Sequence, residues 1–191
     1  PDHPHRGFET VSYILEGAFE HEDSVGNSGR IGPGAVQWMT AGAGVVHSEM
    51  PATEIRTDGG TLHGFQVWVN LPASHKMIPP RYQDIGADEI TLARSGDARA
   101  LVRIVAGELG GISGPGATHT PIVYAHATLD AGARLSLAWP GEFNGLVYCL
   151  RGEVRVGGDT RKVGDHQLAV LDGAGTTLLV EAEATSDVLL L

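Results

Sequence analysis

The sequence predicts an all-β chain built as two small barrels in tandem. Three observations carry this. Short runs rich in Val, Ile, Leu, Tyr and Trp recur between Gly and Pro turn signals. Apolar residues at helical spacing are scarce. The two halves of the chain also echo one another. Gly is abundant, at 27 of 191 residues, which suits many tight turns and few long helices.

Taken in order, FETVSYILEG, AVQWMT, GVVHSEM and LHGFQVWVNLP read as strands of the first half. Residues 72–96 are less regular. There MIPPRYQDI carries Pro79 and Pro80, which exclude a regular helix or a central strand. The crossing between halves is placed in this stretch, giving expected domains of 1–95 and 96–191. ALVRIVAGE, PIVYAHATL, RLSLAWP, GLVYCLRGEVRV, HQLAVLDG, TTLLVEA and DVLLL read as strands of the second half, and the Gly-rich stretch 107–120 reads as a loop.

The echo between halves is specific enough to align. YILEGAFEHED matches YCLRGEVRVGG, pairing Tyr13 with Tyr148 and Gly17 with Gly152 at an offset of 135. GPGAVQWMTAGAGVVHSE matches VGDHQLAVLDGAGTTLLVE, pairing Gly42-Ala43-Gly44 with Gly173-Ala174-Gly175 at an offset of 131.

Composition excludes several classes. The net charge of -10, with no run of Lys or Arg, argues against direct nucleic-acid binding, which needs a basic surface. No apolar stretch approaches the roughly 20 residues of a membrane span, and no signal peptide is visible. A single cysteine, Cys149, allows no internal disulfide and points to a reducing, cytoplasmic setting. Position 1 is Pro and the candidate site lies almost at the terminus, so the chain reads as truncated.

That candidate site begins with HPH. In a strand, residues i and i+2 point to one face, so His3, His5 and Glu9 are expected to share a face. By the same rule VVHSEM places His47 and Glu49 together. H-x-H alone is a common surface pattern, and H-x-E alone is a weaker signal still. Their joint occurrence at strand spacing points to a divalent transition metal with open positions, held by two or three His and a carboxylate. Such donors suit Fe(II), Mn, Ni, Cu(II) or Zn, and the absence of thiolates excludes a structural zinc centre. The aligned positions in the second half are Ala138, Pro140, Leu178 and Val180. All are apolar or small, which predicts one barrel with metal and one without.

HPHRGFETVSYILEG, GRIGPGAVQWMTAGAGVVHSEMP and FQVWVNLPASHKMIPPRYQDI together resemble the signature of the pirin family, within the cupin superfamily. The resemblance implies a bicupin of two jelly-roll barrels with one metal, typically iron, in the first. Carried over by motif position, the ligands are His3, His5, His47 and Glu49, and Glu9 supports them from behind. The family's strands before the H-x-H segment, and its C-terminal tail, have no counterpart here. Pirin-like proteins are known for quercetin 2,3-dioxygenase activity, so the resemblance implies a flavonol-like aromatic substrate and O2, with ring opening to a depside and release of carbon monoxide. Glu49 is then the base for the phenolic proton. The alternative it implies is an iron-dependent, redox-sensing protein that binds a transcription regulator or metabolic enzyme.

Other residues read as structural. His21 is assigned to a solvated strand or loop, and His63, His75, His119, His126 and His166 to the surface. Trp38, Phe65 and Trp68 are placed in the core, with a pocket mouth as the alternative place for some of them, Cys149 is a buried thiol, and Arg6 is given a salt bridge. Gln37 is read as a hydrogen-bond donor pointing toward the site. Gly42 and Gly44 are assigned a tight turn before the second ligand strand.

Overall fold

The structure is a computed structural model that describes residues 1–158, 161–173 and 175–191. It is a β protein, as the alternating patterns require, and it divides into two compact units, Pro1–Glu89 and Ile90–Leu191.

The first unit contains β1 (His3–His5), β2 (Phe8–Glu16), β3 (Phe19–Asp23), β4 (Ser28–Ile31), β5 (Val36–Thr40), β6 (Val45–Pro51), a short helix α1 (Thr53–Asp58), β7 (His63–Asn70), a 3-10 turn (Ala73–His75) and β8 (Arg81–Ile85). These form two antiparallel four-stranded sheets, ordered β1-β6-β3-β4 and β7-β2-β5-β8. Their inner faces meet, since Ser12 and Gln66 of one sheet hydrogen-bond Glu49 of the other and His21 stacks on Tyr82. Two small apolar clusters lie among its buried residues. One is Ile14, Phe19 and Ile31; the other is Met39, Ala41 and Val45 with Tyr82 against it.

The second unit contains β9 (Thr91–Arg94), β10 (Ala100–Ala106), the two-residue β11 (Glu108–Leu109) and β12 (Ile112–Ser113), β13 (Tyr124–Leu129), β14 (Arg134–Ala138), β15 (Leu146–Arg151), β16 (Glu153–Val156), β17 (Arg161–Gly164), β18 (Leu168–Val170), β19 (Thr177–Ala182) and β20 (Ser186–Leu190). Its sheets run β14-β19-β16-β17 and β18-β15-β20-β13-β10-β9. The first of these repeats the order β1-β6-β3-β4 strand for strand, and β18-β15-β20 repeats β5-β2-β7. The weak sequence echo is therefore a repeat of topology. The matched glycines Gly17 and Gly152 both carry positive φ, at 76° and 91°, in the turns after β2 and β15. Ala174 of the second echo lies outside the described residues.

The structural match departs from the alignment by one residue at β5 against β18, where Tyr13 faces Val36 but Tyr148 faces Leu168, and at β1 against β14. His3 faces His47 across β1 and β6, whereas Leu178 faces Leu137 across β14 and β19. Leu137, and not the exposed Ala138, therefore stands where His3 stands in the first unit. Leu178, Val180 and Val156 belong to one continuous apolar core in the second unit, with Leu137 packed against it. The same positions in the first unit carry imidazoles and a carboxylate. Burying an aliphatic side chain stabilises by about 1.5–3 kcal/mol, so the first unit forgoes such burial at several interior positions.

The break between units falls six residues before the expected 95/96 boundary. Thr91–Arg94 are the cause, because they pair with Leu101–Ile104 and so belong to the second unit. The prolines act as expected on the strand after them: Arg81–Ile85 form an edge strand bonded only to β5. Among the described residues no helix is long and apolar enough to cross a membrane.

Candidate metal centre

The inner face of the first unit carries a polar belt. Its first half comes from the β1-β6-β3-β4 sheet. His3 and His5 leave β1 on one face, and β6 presents His47 and Glu49 beside them by strand alternation. One ring nitrogen from each of His3, His5 and His47 lies within 4.8 Å of the other two. His3 Nε2 and His47 Nε2 are 3.0 Å apart. The turn before β6 uses Gly42 and Gly44 as the sequence predicts, with φ of 50° and 132°.

The donor set fits a metal. Two nitrogens bound at right angles to one ion at ~2.0–2.1 Å stand about 2.9 Å apart, close to the 3.0 Å between the two Nε2 atoms. The Nδ1 of His3 lies 2.9 Å from the Pro1 carbonyl, which can only accept, so Nδ1 carries the hydrogen and Nε2 keeps its lone pair. His5 Nε2 is buried without a hydrogen-bond partner among the described residues, a costly state for a polar atom unless a ligand satisfies it. Burial also opposes protonation of His5 and His47. It lowers the His5 pKa, with His3 adding to the effect and Glu49 opposing it. Burial likewise brings His47 from 6.5 to about 4, against the opposing pull of Glu49 and with the help of His3, His5 and His21.

A pH dependence follows for the metal-free protein. The unfolded chain takes up a proton on His47 near 6.5, while the folded chain resists until about 4. Stability is therefore full above 6.5 and falls as pH drops toward 4, by roughly 2–3 kcal/mol from this group. Urea unfolding at pH 7.5 and 4.5 measures it. His47→Ala should flatten that part of the profile, and an equal slope in the variant would show that His47 is not the group responsible.

Glu49 stands outside the imidazole triangle. Its Oε1 accepts from Ser12 Oγ at 3.2 Å and from Gln66 Nε2 at 3.1 Å, and its Oε2 accepts from Gln66 Nε2 at 2.8 Å. Ser12 and Gln66 belong to a row in which Gln66, Ser12, Gln37 and Asp84 face one another in register across β7, β2, β5 and β8. Gln37 donates to Asp84 at 3.0 Å, on the inner face as the sequence predicts. A cleft of about 310 Å³ opens beside Glu49, with Ser12 and Gln66 in its wall and Ile14, Phe19, Leu62 and Phe65 supplying apolar surface.

Several expectations are corrected. Glu9 does not share a face with His3 and His5. Gly7, at φ 78°, breaks the strand, and β1 and β2 enter different sheets. Because Ser12 faces the belt, alternation turns Glu9 to the opposite face, where Thr40 donates to it at 2.6 Å. His21 is not solvated. It is 2% exposed, stacks on Tyr82 at 5.1 Å and faces Glu49 in register. A side chain on Gly29 would meet its Nε2 at 2.6 Å, so the glycine makes the room. Neither ring nitrogen of His21 has a hydrogen-bond partner among the described residues. His126 is also buried, 3.4 Å from Asp187, and Arg6 donates to the Met77 sulfur and makes no salt bridge among the described residues. Trp38 is fully buried, but Trp68 is 64% exposed and lays its ring near Phe8 and His5, at 4.8 and 5.7 Å. Sequence reasoning missed Ser12 and Gln66. Their signal is polarity at inward positions of strands whose neighbouring positions are apolar.

Two β units of this topology, the first lined by histidines and the second by aliphatic residues, define a two-domain cupin. The family model for pirin matches residues 1–69, and that for the pirin C-terminal cupin domain matches 124–191. Human pirin is 43% identical over 95% of this chain, and a pirin-like protein from Caulobacter vibrioides is 43% identical over the whole of it. The crystal structure of quercetin 2,3-dioxygenase from Acinetobacter baumannii superposes with a TM-score of 0.94 at 37% identity, covering 100% of this chain and 66% of that one. Bacterial pirin YhhW from Escherichia coli, solved in complex with nickel(II), gives a TM-score of 0.72 at 27% identity, covering 100% and 74%. The chain belongs to the pirin family. It spans 61% of the length of human pirin, 65% of a 45%-identical relative from Pseudomonas aeruginosa, and 67% of the Caulobacter protein.

Proposed function

We propose that the first unit binds one divalent transition metal, Fe(II) before Mn, Ni, Cu or Zn, through His3, His5, His47 and Glu49, and uses it to open flavonol-like aromatic substrates with O2. The observation that carries this is the adjacency of two things. A cluster of three imidazoles, with a buried unsatisfied nitrogen on His5, lies beside Glu49, and Glu49 lies in the wall of a cleft with apolar sides. The likeness to a quercetin 2,3-dioxygenase supports the same reading.

When bound, the metal supplies the redox chemistry that lets an electron-rich ring react with dioxygen. The protein's own residues do the rest. Ile14, Phe19, Leu62 and Phe65 offer apolar walls to a flat ring system and exclude water from its face. Glu49 is the proton acceptor for a phenolic hydroxyl directed at it. Ser12 and Gln66 both donate to Glu49, which orients its carboxylate in the wall of the cleft. The second unit supplies no comparable cluster of His, Cys, Asp or Glu among the described residues.

The test is oxygen uptake by anaerobically iron-loaded protein given quercetin, with iron-free protein as control. Iron-dependent uptake with loss of the flavonol absorbance band is the expected result. No uptake with iron demonstrably bound would overturn the enzyme reading and move the function to iron-dependent binding of a protein partner.

A further inference from the structure

We infer that Gln66, aligned by Trp68, is a positioning residue that holds Glu49 away from the imidazole cluster and so sets how firmly the metal is gripped. The inference rests on the reading of Glu49 as a metal ligand and proton acceptor.

Donor and acceptor chemistry sets the orientation of the Gln66 amide. An indole N–H can only donate. Trp68 Nε1 lies 3.1 Å from Gln66 Oε1, so this bond fixes which end of the amide is oxygen. The amide NH2 must then face the other way, and it does: Nε2 lies 2.8 and 3.1 Å from the two oxygens of Glu49 and 3.1 Å from Ser12 Oγ. A reversed amide would set its oxygen against a carboxylate. Trp68 thereby selects the only orientation that attracts Glu49.

Strand geometry makes this possible. Gln66 and Trp68 are two residues apart on β7 and so share the inner face, with Gln66 opposite Ser12 and Trp68 opposite Thr10 on β2. Trp68 also touches both sides of the site. Its ring meets His5 edge-on at 5.7 Å, while its N–H acts on Glu49 through Gln66. One exposed side chain therefore links the imidazole side of the centre to the carboxylate side.

For Glu49 to turn onto a metal held by the histidines, it must give up donors from Gln66 and Ser12. Hydrogen bonds to a charged group are stronger than neutral ones, so these donors compete directly with the metal. Removing them strengthens metal binding and leaves Glu49 less available for a substrate proton. A residue that merely built the barrel would have the opposite effect on affinity, or none.

The test uses Co(II) as the probe, with affinity measured by competition against a chelator and coordination read from the visible spectrum. The proteins are the parent, Gln66→Ala, Trp68→Phe, Glu49→Gln and the Gln66→Ala/Glu49→Gln double variant, each checked for an unchanged thermal midpoint. Gln66→Ala should bind Co(II) about 3–10-fold tighter than the parent. Trp68→Phe keeps a ring on His5 but frees the amide, and should give a smaller gain of about 2–3-fold. In the Glu49→Gln background, Gln66→Ala should change nothing, since the competition acts only through the carboxylate. Equal or weaker binding by Gln66→Ala, or the same gain with and without Glu49, would overturn the inference. If Glu49→Gln leaves affinity and spectrum as in the parent, the ligand reading falls and the inference with it. If Glu49→Gln alters them but shows no coupling to Gln66, the inference alone falls.

Discussion

His47→Ala is expected to lose nearly all bound iron and all oxygen uptake. His47 is the imidazole on which the cluster converges. Its Nε2 is 3.0 Å from that of His3, its ring is 4.9 Å from His5, and it is 1% exposed. Changes to residues that only orient a ligand typically cost about 10–100-fold in metal affinity, so loss of a ligand itself should cost at least roughly 100-fold. The two remaining imidazoles sit on the three-residue strand β1, which is held only along β6. The fold itself should survive. The substitution opens a small cavity, but it also removes a buried nitrogen that has no hydrogen-bond partner among the described residues. These effects oppose each other, and the metal-free stability should move by no more than about 1–2 kcal/mol. Metal content after dialysis, read beside thermal unfolding, separates lost binding from lost structure. Full iron occupancy in a folded variant would show that His47 is not a ligand.

Much of this centre is legible in the sequence because strands carry a two-residue period. HPH and HSE each announce a face, and the Gly turn before β6 shows where the second strand begins. Cross-strand register is not legible. Nothing local says that His3 meets His47, or that His21 meets Glu49, because those pairings are made by β6 lying between β1 and β3. The period also misleads where the strand is interrupted. Glu9 has the right spacing from His5, but Gly7 resets the alternation and sends it to the other face. His21 fails differently. Its neighbours Glu20, Glu22 and Asp23 are acidic and suggest solvent, yet alternation makes them the outer face and His21 the inner one, except Asp23, which shares the inner row and caps the turn toward Asn27. Edge strands and α1 are hidden for a simpler reason. Arg81–Ile85 bond to one neighbour and α1 buries no side chain, so neither needs a strong apolar pattern.

Glu49→Gln is expected to separate binding from turnover. The amide matches the carboxylate in shape, so the cleft and strand β6 should be undisturbed. Its oxygen can still accept from Ser12 or Gln66, and the bond with the other partner is weakened because one carboxylate oxygen has become a donor. A neutral amide oxygen is a poorer metal donor than a carboxylate, so affinity should fall by about 10-fold while the three imidazoles keep the site occupied at high metal. Turnover should fall much further. An amide cannot take a phenolic proton at neutral pH, and loss of a general base typically costs about 10²–10⁴ in kcat. The measurement is oxygen uptake at saturating iron and saturating flavonol, so that weaker metal binding cannot account for the loss. A large drop in kcat with little change in KM assigns Glu49 to the proton, because the proposed reading gives binding of the ring to the cleft residues Ile14, Phe19, Leu62 and Phe65. A drop confined to metal affinity would leave Glu49 as a ligand only, and unchanged turnover at full occupancy would remove it from the reaction altogether.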